Sequence, residues 1–147
     1  MIAIIDYGAG NIFSVRNALY TFSEDIVLTK DRDEILAAEK VILPGVGSFA
    51  DAMDKMRNYN LINTIYDIVD SKKPFLGICV GLQMMFEHSE EGDANGIGIF
   101  KGKIKKFSTC GEKVPQIGWN SINMKQDLPI FDGITDNFFY LDRKSVV

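Results

Sequence analysis

Two cysteines, one histidine, four prolines and one tryptophan are few for 147 residues, and each scarcity excludes something. Cys79 and Cys110 are too few for a disulfide framework. The opening Met1-Ile2-Ala3-Ile4-Ile5-Asp6 lacks the basic start and long apolar stretch of a secretion signal. The chain therefore reads as cytoplasmic, with reduced thiols to be judged by reactivity rather than by pairing. A lone His88 and two distant cysteines make no plausible metal site, so neither metal nor other cofactor is expected. Basic residues are outnumbered, 16 against 20, and the net charge of −4 gives no electrostatic reason to expect nucleic acid or an anionic membrane as partner. No stretch approaches the ~18 uninterrupted apolar residues of a membrane span. The length suits one compact domain over residues 1–147 and is short for two.

What is present is a regular alternation. The apolar runs are short: Ile2-Ala3-Ile4-Ile5, Ile26-Val27-Leu28, Val41-Ile42-Leu43 and Pro74-Phe75-Leu76-Gly77-Ile78 each read as a strand buried on both faces. Between them lie stretches with apolar residues at helical spacing: Ile12, Val15, Leu19 and Phe22; then Phe49, Met53 and Met56; then Leu61, Ile65, Ile68 and Val69. A further helix is expected from the turn at Cys79 through about His88. This pattern predicts an α/β fold, a doubly wound, mostly parallel sheet. After residue 92 the chain becomes β-rich and glycine-punctuated, and residues 97–107 and 114–124 read as an antiparallel pair appended to that sheet. Sites in such folds lie at the carboxyl ends of the strands, so the turns after Ile5, Leu43 and Ile78 should share one rim.

The segment Gly77-Ile78-Cys79-Val80-Gly81-Leu82-Gln83 carries the chemistry. A strand that ends in Gly-x-Cys-x-Gly and enters a helix has the layout of a nucleophile elbow. The tight turn exposes the sulfur, the following helix end favours thiolate over thiol, and the amide of Val80 points where an oxyanion can form. By itself Cys79 reads equally as a small buried residue at the end of a core strand. Pro44-Gly45-Val46-Gly47 is a second glycine-bracketed turn, and the amide of Val46 is a candidate for the second oxyanion donor.

Together with Asp6-Tyr7-Gly8-Ala9-Gly10-Asn11 and Val114-Pro115-Gln116-Ile117-Gly118-Trp119-Asn120, these segments resemble the class I, triad-type glutamine amidotransferases. Within them the resemblance is to the glutaminase subunits of imidazole glycerol phosphate synthase, and it runs from residue 1 to about Tyr140. It implies a flavodoxin-like α/β core and a cytoplasmic enzyme of histidine biosynthesis that hydrolyses L-glutamine to glutamate and ammonia. It implies Cys79 as nucleophile, Val46 and Val80 as oxyanion donors between Gly45 and Gly47 and beside the elbow, and Gln83 and Glu91 as contacts to the substrate. It also implies Asn11, Trp119 and Asn120 near an interface with a TIM-barrel cyclase subunit, with which the chain would form a heterodimer. On residues alone, Gln83 and Glu91 read as solvated helix-surface groups and Trp119 as a core anchor.

The family carries a catalytic His-x-Glu near its C-terminal end, and no such pair occurs in these 147 residues. His88, nine residues beyond Cys79 on the expected helix, would lie about 13 Å farther along at ~1.5 Å per residue, too far to act as its base. The chain thus reads as a family member cut short, with its C-terminal part missing. Loss of a triad member costs on the order of 10⁴–10⁶ in turnover, so little glutaminase activity is expected. Uncovered core surface should bring self-association. Two other functions fit the same residues: an amidotransferase subunit serving a different acceptor synthase, and a catalytically dead binding or regulatory module of the same fold.

Overall fold

The structure, a computed structural model, describes residues 1–108, 113–123, 129–134, 138–143 and 145–146. Cys110 and the polar residues 109–112 lie outside the described residues. The chain forms two compact units, residues 1–105 and 106–146, and each is described by itself.

The first unit is built on four parallel strands, β1 (Ile2–Ile5), β2 (Ile26–Thr29), β3 (Lys40–Leu43) and β4 (Phe75–Gly77), in the order β2-β1-β3-β4. The alternation that makes these strands is legible in their burial. Ala3, Ile5, Val41 and Leu43 point into one hydrophobic cluster, while Ile4 and Ile42 are buried on the opposite side. Both faces of β1 and β3 are thus covered, as their continuous apolar composition requires. β4 departs from expectation. It pairs with β3 at the edge of the sheet, and Leu76 is 43% exposed rather than buried.

The helices of this unit are α1 (Ile12–Leu19), α2 (Arg32–Ala37), α3 (Phe49–Asn58), α4 (Ile62–Asp70) and α5 (Val80–Gln83). α3 buries Phe49, Ala52, Met53 and Met56, spaced three and four apart as one helical stripe, and α4 buries Thr64, Ile65 and Ile68 in the same manner. In α1, Ile12, Val15 and Leu19 are half-buried on one face, but the helix stops before Phe22, which is 86% exposed. α2 is not evident in the apolar pattern. Asp31 starts it, its carboxylate accepting from the backbone N–H groups of Asp33 and Glu34 at 2.9 and 3.0 Å.

Two expectations about the later chain are overturned. The helix expected from Cys79 to His88 ends after one turn, and Phe86–Ser89 is instead a strand, β5. The backbone of this stretch is claimed by distant partners: Ile97 donates to the carbonyl of Met84 at 2.8 Å, Gly98 to Phe86 at 3.1 Å and Phe100 to Met85 at 2.9 Å. β5 pairs antiparallel with β6 (Ala94–Asn95) and parallel with β7 (Phe100–Lys106). Residues 97–107 and 114–124 are therefore not partners of each other. In the second unit β8 (Gln116–Ser121) pairs antiparallel with β9 (Phe138–Arg143), with Trp119 opposite Tyr140. A 3-10 turn at Pro129–Phe131 lies between these strands in sequence, and Ser145–Val146 forms a last short strand, β10. Among the described residues, no helix is long and apolar enough to cross a membrane.

Candidate functional site: the strand-to-helix turn at Cys79

Because β1, β3 and β4 are parallel and adjacent, the turns that follow them share one rim of the sheet, as expected. Cys79 lies on this rim between β4 and α5, exposed, with φ 55° and ψ −117°. A residue with a Cβ avoids this region, which costs on the order of 1–3 kcal/mol and persists only where the surroundings impose it. The surroundings are visible. Ile78 donates its N–H to the carbonyl of Leu43 at 3.0 Å, Gly81 donates to Ile78 at 2.9 Å, and Gln83 donates to Cys79 itself at 3.0 Å. The cysteine is thereby lifted out of the strand and aimed at solvent at the head of α5.

The elbow and the turn after β3 touch backbone to backbone. A Cβ on Gly81 would stand 2.0 Å from the carbonyl oxygen of Leu43, and one on Gly45 would stand 2.3 Å from the amide nitrogen of Gly81 and 2.8 Å from the carbonyl carbon of Val80. Glycine is required at both positions because no side chain fits between the two turns. The contact brings Gly45 against Val80, so the two predicted oxyanion segments are neighbours. Val80 opens α5 and is buried, while Val46 is 49% exposed and Gly47 takes φ +84°. The Gly81 amide donates to Ile78, which leaves the amide of Val80, beside the thiol, as the candidate donor expected from the sequence. α5 is one turn long, so its electrostatic help comes from local N–H groups rather than from a long helix dipole.

Gln83 closes α5 and Glu91 sits in the turn after β5; both are half-buried, not the fully solvated groups that composition alone allows. Glu91 donates its backbone N–H to Ser89 Oγ at 3.1 Å. Asn11 serves the fold directly as the cap of α1, its side-chain oxygen accepting from Ser14 N–H at 3.4 Å. Trp119 and Asn120 belong to the second unit. Trp119 is 71% exposed and meets Tyr140 edge-on at 5.7 Å, so it is no core anchor. His88 lies on β5 rather than on a helix with Cys79. Its Nδ1 is 3.3 Å from Asn95 Oδ1 and its Nε2 is 3.3 Å from Asp93 Oδ1, so both ring nitrogens face the β5–β6 turn.

One residue of the site escaped the sequence reading. Tyr7, in the turn after β1, is fully buried and donates its hydroxyl to the carbonyl oxygen of Pro44 at 2.9 Å. Burial pushes its pKa up to about 12, with the negative charge of a Cys79 thiolate as the second cause. The signal was there in part: a tyrosine directly after a buried strand, at the functional rim, must find a partner for its hydroxyl.

Comparison with known proteins matches this arrangement to one family. The profile of the family described as "Glutamine amidotransferase class-I" matches residues 3–146. The imidazole glycerol phosphate synthase subunit HisH of Methanocaldococcus jannaschii is 46% identical over 141 residues, covering 95% of this chain and 70% of that protein. HisH of Oceanobacillus iheyensis is 47% identical over 139 residues, covering 93% of this chain and 68% of that protein. A solved structure described as a glutamine amidotransferase superposes with a TM-score of 0.66 at 13% identity, covering 82% of this chain and 62% of that one, and shows the same fold. With a strained cysteine elbow packed glycine to glycine against the preceding turn, and with these relatives, the chain belongs to the class-I glutamine amidotransferase family, in its HisH branch.

Proposed function

We propose that this chain is a glutaminase subunit of imidazole glycerol phosphate synthase in the cytoplasm, with Cys79 as its nucleophile, and that residues 1–147 belong to one amidotransferase domain. One observation carries the reading: Cys79 is held at φ 55° on a strand-to-helix turn, exposed, at the rim of the sheet. In the first step the thiolate Sγ bonds to the side-chain amide carbon of glutamine, and the carbonyl oxygen becomes an oxyanion. The amides of Val80 and Val46 are suited to receive that charge, which a preorganised donor pair stabilises. The carbon–nitrogen bond then breaks, and the nitrogen takes up from solvent the proton that the thiol released and leaves as ammonia; water next adds to the thioester carbonyl, the carbon–sulfur bond breaks, and glutamate and the Cys79 thiolate are released. Gln83 and Glu91 are the proposed contacts to the substrate's polar groups. Proton delivery is a separate requirement that His88, facing Asp93 and Asn95, does not meet.

The proposed partner is a TIM-barrel cyclase subunit that receives the ammonia. Its support is the word "subunit" in the names of the relatives and the exposed Trp119 of the second unit, with Asn120 and Asn11 as further interface candidates. The discriminating experiment is labelling with a chloroketone analogue of glutamine. Saturable labelling of Cys79, protected by glutamine and lost in Cys79→Ala, is expected. Labelling of Cys79 that does not saturate, or that runs no faster than that of Cys110, would reject the glutaminase reading in favour of a binding or regulatory module.

A further inference from the structure

The turn after β3 is fixed at its root and exposed at its tip. Pro44 and Gly45 are buried, whereas Val46 and Gly47 are exposed. The Pro44 carbonyl oxygen accepts from the Tyr7 hydroxyl at 2.9 Å. That oxygen belongs to the peptide joining Pro44 to Gly45, and a peptide is planar, so holding the oxygen also sets the direction of the Gly45 N–H. On the other side the same residue is wedged against the elbow, where a Cβ on Gly45 would stand 2.3 Å from Gly81 N. Val46 is 49% exposed, and Gly47 has a left-handed φ of +84°. The hydroxyl comes from the turn after β1, the neighbour of β3 on the side away from β4. A buried phenol must donate, because leaving it unpaired costs roughly 1–3 kcal/mol. With its pKa raised to about 12, it remains a donor throughout the neutral range.

We propose that Tyr7 is a positioning residue for the oxyanion hole: its hydroxyl pins the Pro44–Gly45 peptide, and so sets the point from which the next peptide presents the Val46 N–H. The proposal rests on the reading of Cys79 as nucleophile. A tyrosine that served packing alone would affect stability and leave the chemistry of the neighbouring thiol untouched. One that sets the oxyanion donors affects only reactions that form an oxyanion.

The test compares two probes on the full chain and on Tyr7→Phe, which keeps the ring and removes the donor. The sulfur of Cys79 adds to the ketone of the glutamine chloroketone to give a tetrahedral oxyanion; it then bonds to the chloromethyl carbon as chloride leaves, and its bond to the ketone carbon breaks as the carbonyl re-forms, leaving a thioether. Iodoacetamide is displaced directly, the sulfur–carbon bond forming as iodide leaves, with no oxyanion. In Tyr7→Phe the maximal chloroketone rate is expected to fall about tenfold or more, as for a misplaced oxyanion donor. Half-saturation and the iodoacetamide rate should stay within about twofold. Unchanged chloroketone labelling overturns the proposal, and so does a parallel fall with both probes, which signals a disturbed elbow. Absence of saturable labelling in the unsubstituted chain overturns the site reading and the proposal with it. A second measurement needs no variant: the backbone amide order parameter of Gly45 should match rigid core residues, about 0.85. A value below about 0.6, that of a flexible segment, overturns the pinning.

Discussion

At the scale of single residues, the site depends on two groups that the chain holds under constraint. Cys79 is placed in a backbone region that favours glycine, and Tyr7 is buried with one polar partner, Pro44, 37 positions away. The first was legible, because Gly77 and Gly81 flank the cysteine in sequence and announce a tight turn. The second was not, because the acceptor of its hydroxyl becomes a neighbour only when β1 and β3 pair. Its burial has a consequence for pH. An unfolded tyrosine ionises near 10 and the folded one at about 12. Below pH 10 both states carry the proton and the full stability is present. As pH rises from 10 through about 12 the unfolded state loses its proton first, and stability falls. The expected loss is at most about 2–3 kcal/mol. Urea unfolding at pH 9 and at pH 11.5 should show this slope in the unsubstituted chain and a flatter one in Tyr7→Phe. Identical slopes would show that Tyr7 is not the group responsible.

At the scale of elements, the site is a contact between two strand-ending turns. β3 and β4 are adjacent and parallel, and the turns that leave them meet through glycine backbone at Gly45 and Gly81. A methyl group at position 81 would lie 2.0 Å from the carbonyl oxygen of Leu43, a backbone atom of a buried strand that cannot swing aside. Gly81→Ala is therefore expected to destabilise the first unit by more than about 2 kcal/mol and to slow labelling of Cys79. A change in unfolding free energy below about 0.5 kcal/mol would show that the two turns are not packed as described. The elements up to Cys79 could be read from apolar periodicity, apart from the short α2, whose start is marked by a cap rather than a stripe. Beyond it periodicity misled. The helix expected to run on from the elbow stops after one turn, because the carbonyls of Met84, Met85 and Phe86 accept from Ile97, Phe100 and Gly98. A one-turn helix gains little by propagating when its next carbonyls have a ladder to join.

For the molecule as a whole, each unit carries one face suited to a task. The rim of the first holds Cys79, the proposed nucleophile. In the second, Ile117, Trp119, Phe138 and Tyr140 are all more than half exposed on paired strands. A patch of this kind, centred on a tryptophan, is typical of the anchors of protein interfaces. Trp119→Ala is expected to weaken binding of the proposed cyclase partner by about tenfold or more, measured by titration calorimetry, while Cys79 in the uncomplexed chain is labelled at an unchanged rate. Unaltered affinity would remove Trp119 from the interface. By itself the sequence determined the parallel α/β order of its first half and the strand-to-helix turn that carries Cys79. Both follow from contiguous residues: the period of an apolar run, and glycines on either side of a cysteine. Only the tertiary structure decided that residues 86–89 are a strand, that β8 pairs with β9 rather than with β7, that His88 turns to Asp93 and Asn95, and that Tyr7 holds Pro44. These depend on hydrogen bonds between groups distant in sequence, and such bonds acquire partners only once the chain has closed upon itself.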